Sequence, residues 1–315
     1  MSNKSQHEQS HGWRVTVPAT SANLGCAFDC GGLALKLYLS ASFVPAAGHG
    51  LTLEYSGTGA DRVPVNESNL VLRGIRFVAD YFGAANPSGH VQVDSQIPVS
   101  VGLGSSAAAV LAGLLLGVRF CGKDLPPEKL LRCAEELEGH IDNAAAAYYG
   151  GLVFALGNSD RVVALKTKFP EQIKLLIVIP SISVSTHHAR RALPPSYQRE
   201  DVVHTMQRAA LLAATCFSGN FELFPELFDD RLHQPYRQEL VPGIGRCLRY
   251  RHEGLMGIAI SGSGSSVIAF VEKNEKQIAQ DLQKIFSEEE IDAQTLITFA
   301  DNNGAAITKD AAIHR

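Results

Sequence analysis

Residues 98–107 read Pro-Val-Ser-Val-Gly-Leu-Gly-Ser-Ser-Ala and join a short apolar strand to a helix rich in alanine and leucine. Glycine lets the backbone turn tightly and approach a ligand closely, because it carries no side chain. The helix that follows leaves its first amides without partners, and its macrodipole adds positive character at that end. The stretch therefore predicts a cradle for an anion such as phosphate. The alternative is an ordinary glycine-rich turn before a serine-capped helix.

The glycine stretch differs from a Walker A motif, because no Gly-Lys-Ser/Thr follows the turn. A P-loop NTPase is therefore disfavoured, and the outer phosphates need something other than that lysine to hold them. Ser105 and Ser106 add hydroxyls in the first turn of the helix, where they can cap it or reach a metal ion.

The composition is that of a globular chain of 315 residues, 45% of them hydrophobic. At about 150 residues per domain, this length predicts two lobes. The 28 Lys and Arg residues against 32 Asp and Glu give a formal net charge of -4, and they form no basic block. We therefore expect a small-molecule substrate and no nucleic acid partner.

The sequence gives no sign of export or membrane insertion. Its longest apolar run, Ala107 to Val118, is too short to span a bilayer. Residues 1–12 are polar, so we expect a disordered tail there and no secretion signal. The six cysteines form neither a Cys-x-x-Cys pair nor a zinc-site spacing, which predicts reduced thiols. These features predict a cytoplasmic protein.

Strand and helix patterns mix along the chain without strict alternation, which predicts an α+β fold with two lobes. Strands are predicted near residues 13–17, 33–43, 51–55, 91–97, 150–156, 175–179, 256–261 and 267–271. Helices are predicted near residues 69–82, 105–119, 126–138 and 201–216, and a small-residue loop at 19–32. We place an N-terminal nucleotide-binding lobe at 13–165 and a C-terminal lobe at 166–315.

Three segments rich in glycine and small polar residues lie beside predicted strands: PATSANLGCAFD (18–29), the stretch 98–107, and SGSGSS (261–266). In this order they resemble the motifs of the GHMP kinase superfamily, and the first resembles PASSANLGxGFD of the homoserine kinase family. Three further strings support the narrower resemblance. EGHIDNAAAA (138–147) resembles EGHPDNVAPA, THHARRALP (186–194) resembles TxxARxxLP, and DRLHQPYR (230–237) is nearly the family's own string.

This resemblance covers roughly residues 13–300 and implies ATP-dependent phosphorylation of a primary alcohol, L-homoserine in the narrower family, for threonine biosynthesis. It implies a β-rich, ribosomal-protein-like N-terminal lobe and a ferredoxin-like C-terminal lobe. ATP and Mg²⁺ are the implied cofactors, and a homodimer is the family expectation.

The resemblance also implies a pocket with both signs of charge, because homoserine is a zwitterion. Asp29 is expected to pair with the ammonium, while Arg190 and Arg237 clamp the carboxylate, since a bidentate arginine–carboxylate pair fixes orientation. The other matching positions are polar and suited to hydrogen bonds with the substrate: Asn23, His140, Asn143 and Thr186.

A catalytic base is not evident in the matching segments. Several superfamily relatives remove the alcohol proton with a carboxylate beside a lysine, and no such pair stands here. A loose transition state needs little deprotonation of the hydroxyl before attack. We therefore assign Asn143 and His140 to hold the attacking hydroxyl, without a dedicated carboxylate base.

Nucleotide contacts are expected mainly from the backbone amides of six residues: Val101, Gly102, Leu103, Gly104, Ser105 and Ser106. Asn69 is a weaker candidate near the base. By analogy with the superfamily, Ser106 and Glu138 are expected to hold magnesium, while Ser105 caps the helix. Glu135 and Glu136 are nearby alternatives to Glu138.

Every one of these residues has a simpler role open to it. Asp29 and Asn143 could cap local turns, the two arginines could be surface charges, and His140 could be a core histidine. The glutamates and Ser106 could form a solvated helix end.

The sequence departs from the family pattern at three places. Cys26-Ala27 stands where Pro-Gly is usual, and a positive φ there would cost alanine about 1 kcal/mol. Ile141 replaces a proline, and Ser263 and Ser265 stand where Ala and Pro are common. None of these changes removes a charged substrate contact. Three functions therefore stay open: a homoserine kinase, a kinase of another small alcohol such as mevalonate, and a non-catalytic ligand-binding homologue.

Overall fold

A computed structural model describes residues 12–48 and 50–310. The predicted tail at 1–12 lies outside the described residues except for Gly12, which begins the first strand. The strands are β1 (Gly12–Asn23), β2 (Ala27–Pro45), β3 (Leu51–Gly57), β4 (Gly89–Ser95), β5 (Leu152–Gly157), β6 (Val162–Thr167), β7 (Lys174–Pro180), β8 (Leu255–Ile260), β9 (Val267–Val271), β10 (Ala293–Thr298) and β11 (Ala306–Asp310).

The helices alternate with these strands without a regular repeat, which confirms the predicted α+β class. They are α1 (Leu70–Tyr81), α2 (Ser105–Phe120), α3 (Pro127–Glu138), α4 (Asp142–Tyr149), α5 (Thr186–Arg191), α6 (Arg199–Ser218), α7 (Gln234–Arg237), α8 (Ile244–Arg249) and α9 (Glu275–Glu288). In the part of the chain that the structure describes, no helix is both long and apolar enough to cross a membrane.

The first sheet has seven strands, ordered β11-β1-β2-β4-β3, with β5 paired to β2 and β6 paired to β5. The loop predicted at 19–32 is wrong, because β1 runs on to Asn23 and β2 begins at Ala27. A register shift between Pro18 and Ala19 carries the strand past the proline. The small residues permit close packing: a Cβ on Gly32 would lie 2.6 Å from the backbone oxygen of Asp142.

Two helices, α1 and α2, pack against each other through glycine. A Cβ on Gly113 would lie 2.2 Å from the carbonyl oxygen of Val71, and one on Gly74 would lie 2.9 Å from the backbone of Gly113. This approach buries α2 on most of its surface, including Val110, Leu111 and Leu114. The hydrophobic effect on these side chains fixes α2, and with it the glycine stretch at its start.

The second sheet has four antiparallel strands in the order β10-β7-β9-β8. If the four strands are numbered by their order along the chain, they lie in the order 4-1-3-2, and α9 connects the third strand to the fourth. This arrangement confirms the ferredoxin-like C-terminal lobe. One face of this sheet packs against an apolar cluster that is separate from the main core and includes Val241, Ile278, Leu282 and Phe286.

The first sheet extends beyond residue 165, the predicted boundary between the two lobes. Strand β6 continues to Thr167 and pairs with β5, while β11 returns to pair with β1 across the register Gly12 to Asp310. Residues 306–310 therefore belong to the first sheet, although the sequence placed them in the C-terminal lobe. Local periodicity cannot reveal this, because the partner strand lies at the other end of the chain.

Candidate active site

The three glycine- and serine-rich segments meet in space. Ser261 Oγ donates a hydrogen bond to the carbonyl oxygen of Gly102 at 2.7 Å and lies 2.8 Å from Ser21 Oγ. The amide of Gly262 donates to the carbonyl of Ala22 at 3.0 Å, and that of Thr20 donates to Leu103 at 3.1 Å. The segments predicted separately therefore form one interlocked backbone assembly.

The glycine stretch leads into α2 through a left-handed residue. Gly104 is the N-cap, with φ 69°, and no side chain caps this end of the helix in the described structure. The expectation that Ser105 caps α2 is therefore wrong, because Ser105 is already the first helical residue. A Cβ on Gly102 would lie 2.1 Å from the Ser261 carbonyl oxygen, and one on Gly104 would lie 2.0 Å from Thr20 Oγ1. Only glycine fits these two positions, and the uncapped amides suit an anion.

A cavity of about 310 Å³ opens in front of this helix terminus. Most of the predicted nucleotide, metal and hydroxyl-holding residues line it: Gly102, Leu103, Gly104, Ser105, Ser106, Glu138, His140, Asn143 and Thr186. Val101 is buried behind the loop, where its carbonyl accepts from the Ser266 amide.

Asn69 is not brought into the cavity. Its side-chain oxygen accepts from the amide of Val71, which caps α1, and its Nδ2 donates to the carbonyl of Pro64 at 2.8 Å. The side chain is buried, with both polar ends engaged in local structure. The structure thus favours the capping role of Asn69 over a contact with nucleotide.

The two predicted magnesium ligands lie side by side. Ser106 Oγ donates to Glu138 Oε1 at 2.6 Å, across the cavity wall formed by the start of α2 and the end of α3. Glu135 instead pairs with Arg132 at 2.9 Å, and neither it nor Glu136 lines the cavity. A hydroxyl and a carboxylate are oxygen ligands of the kind Mg²⁺ prefers, so the residues fit the ion.

A buried hydrogen-bonded chain orients Asn143. Thr20 Oγ1 donates to Asn143 Oδ1 at 2.7 Å, and Asn143 Nδ2 donates to Asp142 Oδ1 at 3.0 Å. His140 Nδ1 lies 3.3 Å from the same Asp142 oxygen, without well-aligned hydrogen-bond geometry. The interaction with the Asp142 carboxylate raises the pKa of His140 above its ordinary value, against the opposing effect of burial.

The predicted ammonium and carboxylate partners, Asp29 and Arg190, bind each other in this structure. Arg190 Nη1 and Nη2 donate to the two Asp29 carboxylate oxygens at 3.0 and 2.9 Å. The backbone of Asp29 has φ 56° and its amide donates to Asn23 Oδ1 at 3.0 Å. The guanidinium of Arg190 and the carboxylate of Asp29 therefore form a bidentate ion pair.

Arg237 is the buried cation of the site. Its side chain lies over the Phe28 ring at 5.1 Å, and Nη1 donates to the Gly262 carbonyl at 3.1 Å. Asn23 Nδ2 donates to the same carbonyl at 2.7 Å, which places both residues beside the cavity. Within residues 12–48 and 50–310, Arg237 Nε has no hydrogen-bond partner. Burial lowers the pKa of Arg237, so a bound anion would offset a real desolvation cost.

Thr186 begins α5, and its Oγ1 lies 3.4 Å from Ser263 Oγ of the third motif. The same helix carries Arg190, and this contact joins the helix to the third motif. The departure at Cys26-Ala27 causes no backbone strain, because the positive φ angles fall on Asn23, Leu24, Gly25 and Asp29 instead. Ala27 is an ordinary first residue of β2.

Sequence reasoning missed four residues of the site: Thr20, Phe28, Asp142 and His233. His233 is fully buried, stacks on Phe28 with ring centroids 5.1 Å apart, and donates from Nε2 to the Gly25 carbonyl at 2.7 Å. Burial lowers the pKa of His233, so the ring is neutral and Nδ1 faces Arg237 Nη1 at 3.4 Å. All four lie within the motif strings quoted above, so their place in those strings could have indicated that they belong to the site.

A glycine cradle at an uncapped helix terminus, a hydroxyl–carboxylate pair beside it and charges of both signs define a small-molecule phosphotransferase site. The family models agree: residues 69–151 match the GHMP kinases N terminal domain and residues 208–288 match the GHMP kinases C terminal domain. The chain belongs to the homoserine kinase family of the GHMP kinases.

Individual relatives support that placement over most of the chain. A homoserine kinase of Solibacter usitatus is 38% identical over 281 residues, covering 88% of this chain and 91% of its own. One of Caldicellulosiruptor bescii is 37% identical over 296 residues, covering 93% and 96%. The crystal structure of homoserine kinase from Cytophaga hutchinsonii superposes with a TM-score of 0.83 at 25% identity, covering 98% of this chain and 100% of that one.

Proposed function

We infer that the protein transfers the γ-phosphoryl group of ATP to the side-chain hydroxyl of L-homoserine, giving O-phospho-L-homoserine and ADP for threonine biosynthesis. One observation carries this proposal: the Asp29–Arg190 ion pair and Arg237, which donates to Gly262 of the cavity lining, occur together with a glycine cradle that suits phosphates. A substrate with an ammonium and a carboxylate uses all three charges. Mevalonate and galactose have no ammonium, so neither would make use of the Asp29 carboxylate.

The cradle and the metal ligands are proposed to hold the donor. The amides at the start of α2 and the loop from Val101 to Gly104 contact the phosphates, in place of a P-loop lysine. Ser106 and Glu138 hold Mg²⁺, which when bound neutralises phosphate charge during transfer. Binding by amides, helix dipole and these two oxygen ligands explains how the site works without a Walker lysine.

The acceptor is proposed to lie between the charged residues and the cavity. Asp29 takes the ammonium, while Arg190 and Arg237 take the carboxylate. Hydrogen bonds to the substrate come from four further residues: Asn23, His140, Asn143 and Thr186. Held at both charged groups, the substrate presents its hydroxyl to Asn143, so positioning supplies much of the catalysis.

We propose that the hydroxyl attacks without a dedicated carboxylate base. Asp142 is buried and already bound to Asn143, and Glu138 is bound to Ser106. The Asp142 carboxylate raises the pKa of His140, which increases the fraction of rings that are protonated and can only donate a hydrogen bond. The proton then leaves to solvent as the new O–P bond forms. A pH–rate profile whose acidic limb disappears in Asp142→Asn would overturn this assignment.

The substrate proposal is tested by coupled measurement of ADP release with L-homoserine, mevalonate and galactose. We expect turnover with homoserine, and a steep rise in its KM in Arg237→Ala with little change in the KM for ATP. Arg237→Lys, which keeps a charge, is expected to be less impaired. Turnover with mevalonate or galactose alone would indicate another alcohol kinase. ATP binding without turnover of any alcohol would indicate a non-catalytic homologue.

The metal assignment has its own test. Ser106→Ala and Glu138→Gln are expected to raise the Mg²⁺ concentration needed for half-maximal activity by roughly tenfold or more, since each removes one oxygen ligand. The control is Glu136→Gln, which changes the same charge on an exposed position of α3. An equal shift in the control would refute the assignment of Glu138.

We further propose a homodimer and a cytoplasmic location, both from the family resemblance. Light scattering on the purified protein measures the first, and cell fractionation measures the second.

A further inference from the structure

The Asp29–Arg190 pair is unusual because both partners are assigned to the substrate. It is bidentate, at 2.9 and 3.0 Å, and it joins residues from the first motif and from α5. Each side chain is 38% exposed, so a ligand can reach it. The backbone of Asp29 is held by Asn23 Oδ1, which keeps the carboxylate in place. The pair therefore satisfies both charges with no substrate present.

Arg237, in contrast, is buried and has no ion-pair partner among the described residues. It is 3% exposed, no carboxylate of the described residues lies within ion-pair distance, and its Nε lacks a partner. The neighbouring charges act on it in opposite directions: Asp29 raises its pKa and Arg190 lowers it, although burial is the larger cause. The three groups are thus close enough to influence one another. Arg237 therefore has no anionic partner among the described residues, whereas Arg190 is paired with the Asp29 carboxylate.

We propose that the substrate's two charges bind by exchange, so that the Asp29–Arg190 pair selects zwitterions. The substrate ammonium replaces Arg190 at Asp29, and the released Arg190 joins Arg237 on the substrate carboxylate. This inference rests on the proposed function and adds a specificity device to it. One ion pair, Asp29–Arg190, is broken. Three are formed, between Asp29 and the ammonium and between the carboxylate and each of the two arginines, so a complete zwitterion loses nothing in charge pairing.

The same exchange weakens the binding of molecules that carry a single charge. A hydroxy acid without an ammonium recruits Arg190 only by leaving the Asp29 carboxylate unpaired. An amino alcohol without a carboxylate displaces Arg190 from Asp29 and leaves the guanidinium groups of Arg190 and Arg237 without an anion. Uncompensated charges near a partly buried site are costly, so either molecule is rejected more strongly than its missing contact alone would explain.

Two homoserine analogues separate this exchange from independent charge contacts. In 4-hydroxybutanoate the ammonium is absent, and in 3-amino-1-propanol the carboxylate is absent. We measure kcat/KM by ADP release and binding by calorimetry, in wild type, Asp29→Asn, Arg190→Gln and the double variant. The controls are Arg191→Gln and Asp124→Asn, which make the same charge changes at exposed positions.

The exchange predicts gains that are otherwise unexpected. Asp29→Asn should lose homoserine but improve 4-hydroxybutanoate by at least about fivefold, because Arg190 is freed. Arg190→Gln should lose homoserine but improve 3-amino-1-propanol similarly, because Asp29 is freed. Independent contacts predict only the gain from removing one like charge, which would be the same for Asp29→Asn alone and for Asp29→Asn in an Arg190→Gln background. Equal gains in the two backgrounds, or no gain at all, would overturn the proposal. The two control variants should behave as wild type with all three compounds.

A measurement on the wild type guards against variants that fold poorly. Ethylammonium at millimolar concentration should raise kcat/KM for 4-hydroxybutanoate several-fold, because it occupies Asp29 and releases Arg190; no effect, or inhibition, counts against the exchange. If homoserine itself is not phosphorylated, the proposed function fails. If it is phosphorylated but neither analogue gains, only this inference fails.

Discussion

Replacing Thr20 by valine removes one hydroxyl from the centre of the site. Thr20 is fully buried, and its Oγ1 donates to Asn143 Oδ1 at 2.7 Å. Valine keeps the shape but leaves that oxygen without a donor, which costs about 1–3 kcal/mol. The hydrogen bond also fixes which end of the Asn143 amide faces Asp142. If the loss is felt in the transition state, kcat falls roughly 5- to 150-fold.

The assay compares steady-state kinetics with urea unfolding for Thr20→Val, Thr20→Ser and Thr298→Val. Serine retains the donor, so Thr20→Ser should stay near wild-type kcat while losing some stability. Thr298 is a buried threonine on β10 whose Oγ1 donates to the Lys36 carbonyl at 3.1 Å, so its variant should lose stability without losing kcat. The KM for ATP should change little. A kcat for Thr20→Val within twofold of Thr298→Val would refute the positioning role.

Two further predictions concern stability. Gly102→Ala should lower the free energy of unfolding by about 2–5 kcal/mol, because φ is 84° and the new Cβ would lie 2.1 Å from the Ser261 carbonyl oxygen. Gly122→Ala, with φ 59° and nothing within 4 Å, should lose only about 1–2 kcal/mol in urea titrations, and equal losses would contradict the steric argument. Burial lowers the pKa of His233, so the unfolded chain takes up a proton there before the folded one does. Stability should therefore fall as the pH drops below about 6.5, and His233→Gln should flatten that fall; an unchanged slope would show that other groups cause it.

The sequence predicted the class of the fold well because that class depends on local patterns. Helix α1 begins one residue after the predicted start at Asn69, and α3 begins at the Pro126-Pro127 pair as expected. Two predictions about the first sheet failed for the same reason. Strand β1 continues through Pro18, and β11 pairs with β1 from the far end of the chain. Both depend on strand pairing, which is settled by partners distant in sequence. Small residues at 19–32 indicated a loop, but at Gly32 the side chain is absent because α4 packs closely against the strand.

The site shows the same limit at the level of charge. Motif strings predicted that Asp29, Arg190 and Arg237 belong to one pocket. In the structure Asp29 and Arg190 pair with each other and Arg237 donates to Gly262 of the cavity lining, but none of the three lines the cavity in front of α2. The motif strings could not reveal that Asp29 and Arg190, 161 positions apart, bind each other, because nothing in either string depends on the other. A residue's type predicts which ligand charge it prefers, whereas its availability depends on what already neutralises it. Two arginines of identical chemistry thus differ: Arg237 is buried with an unpartnered Nε, while Arg190 must first be released. The selectivity we propose arises from that difference, so no count of charged residues could have predicted it.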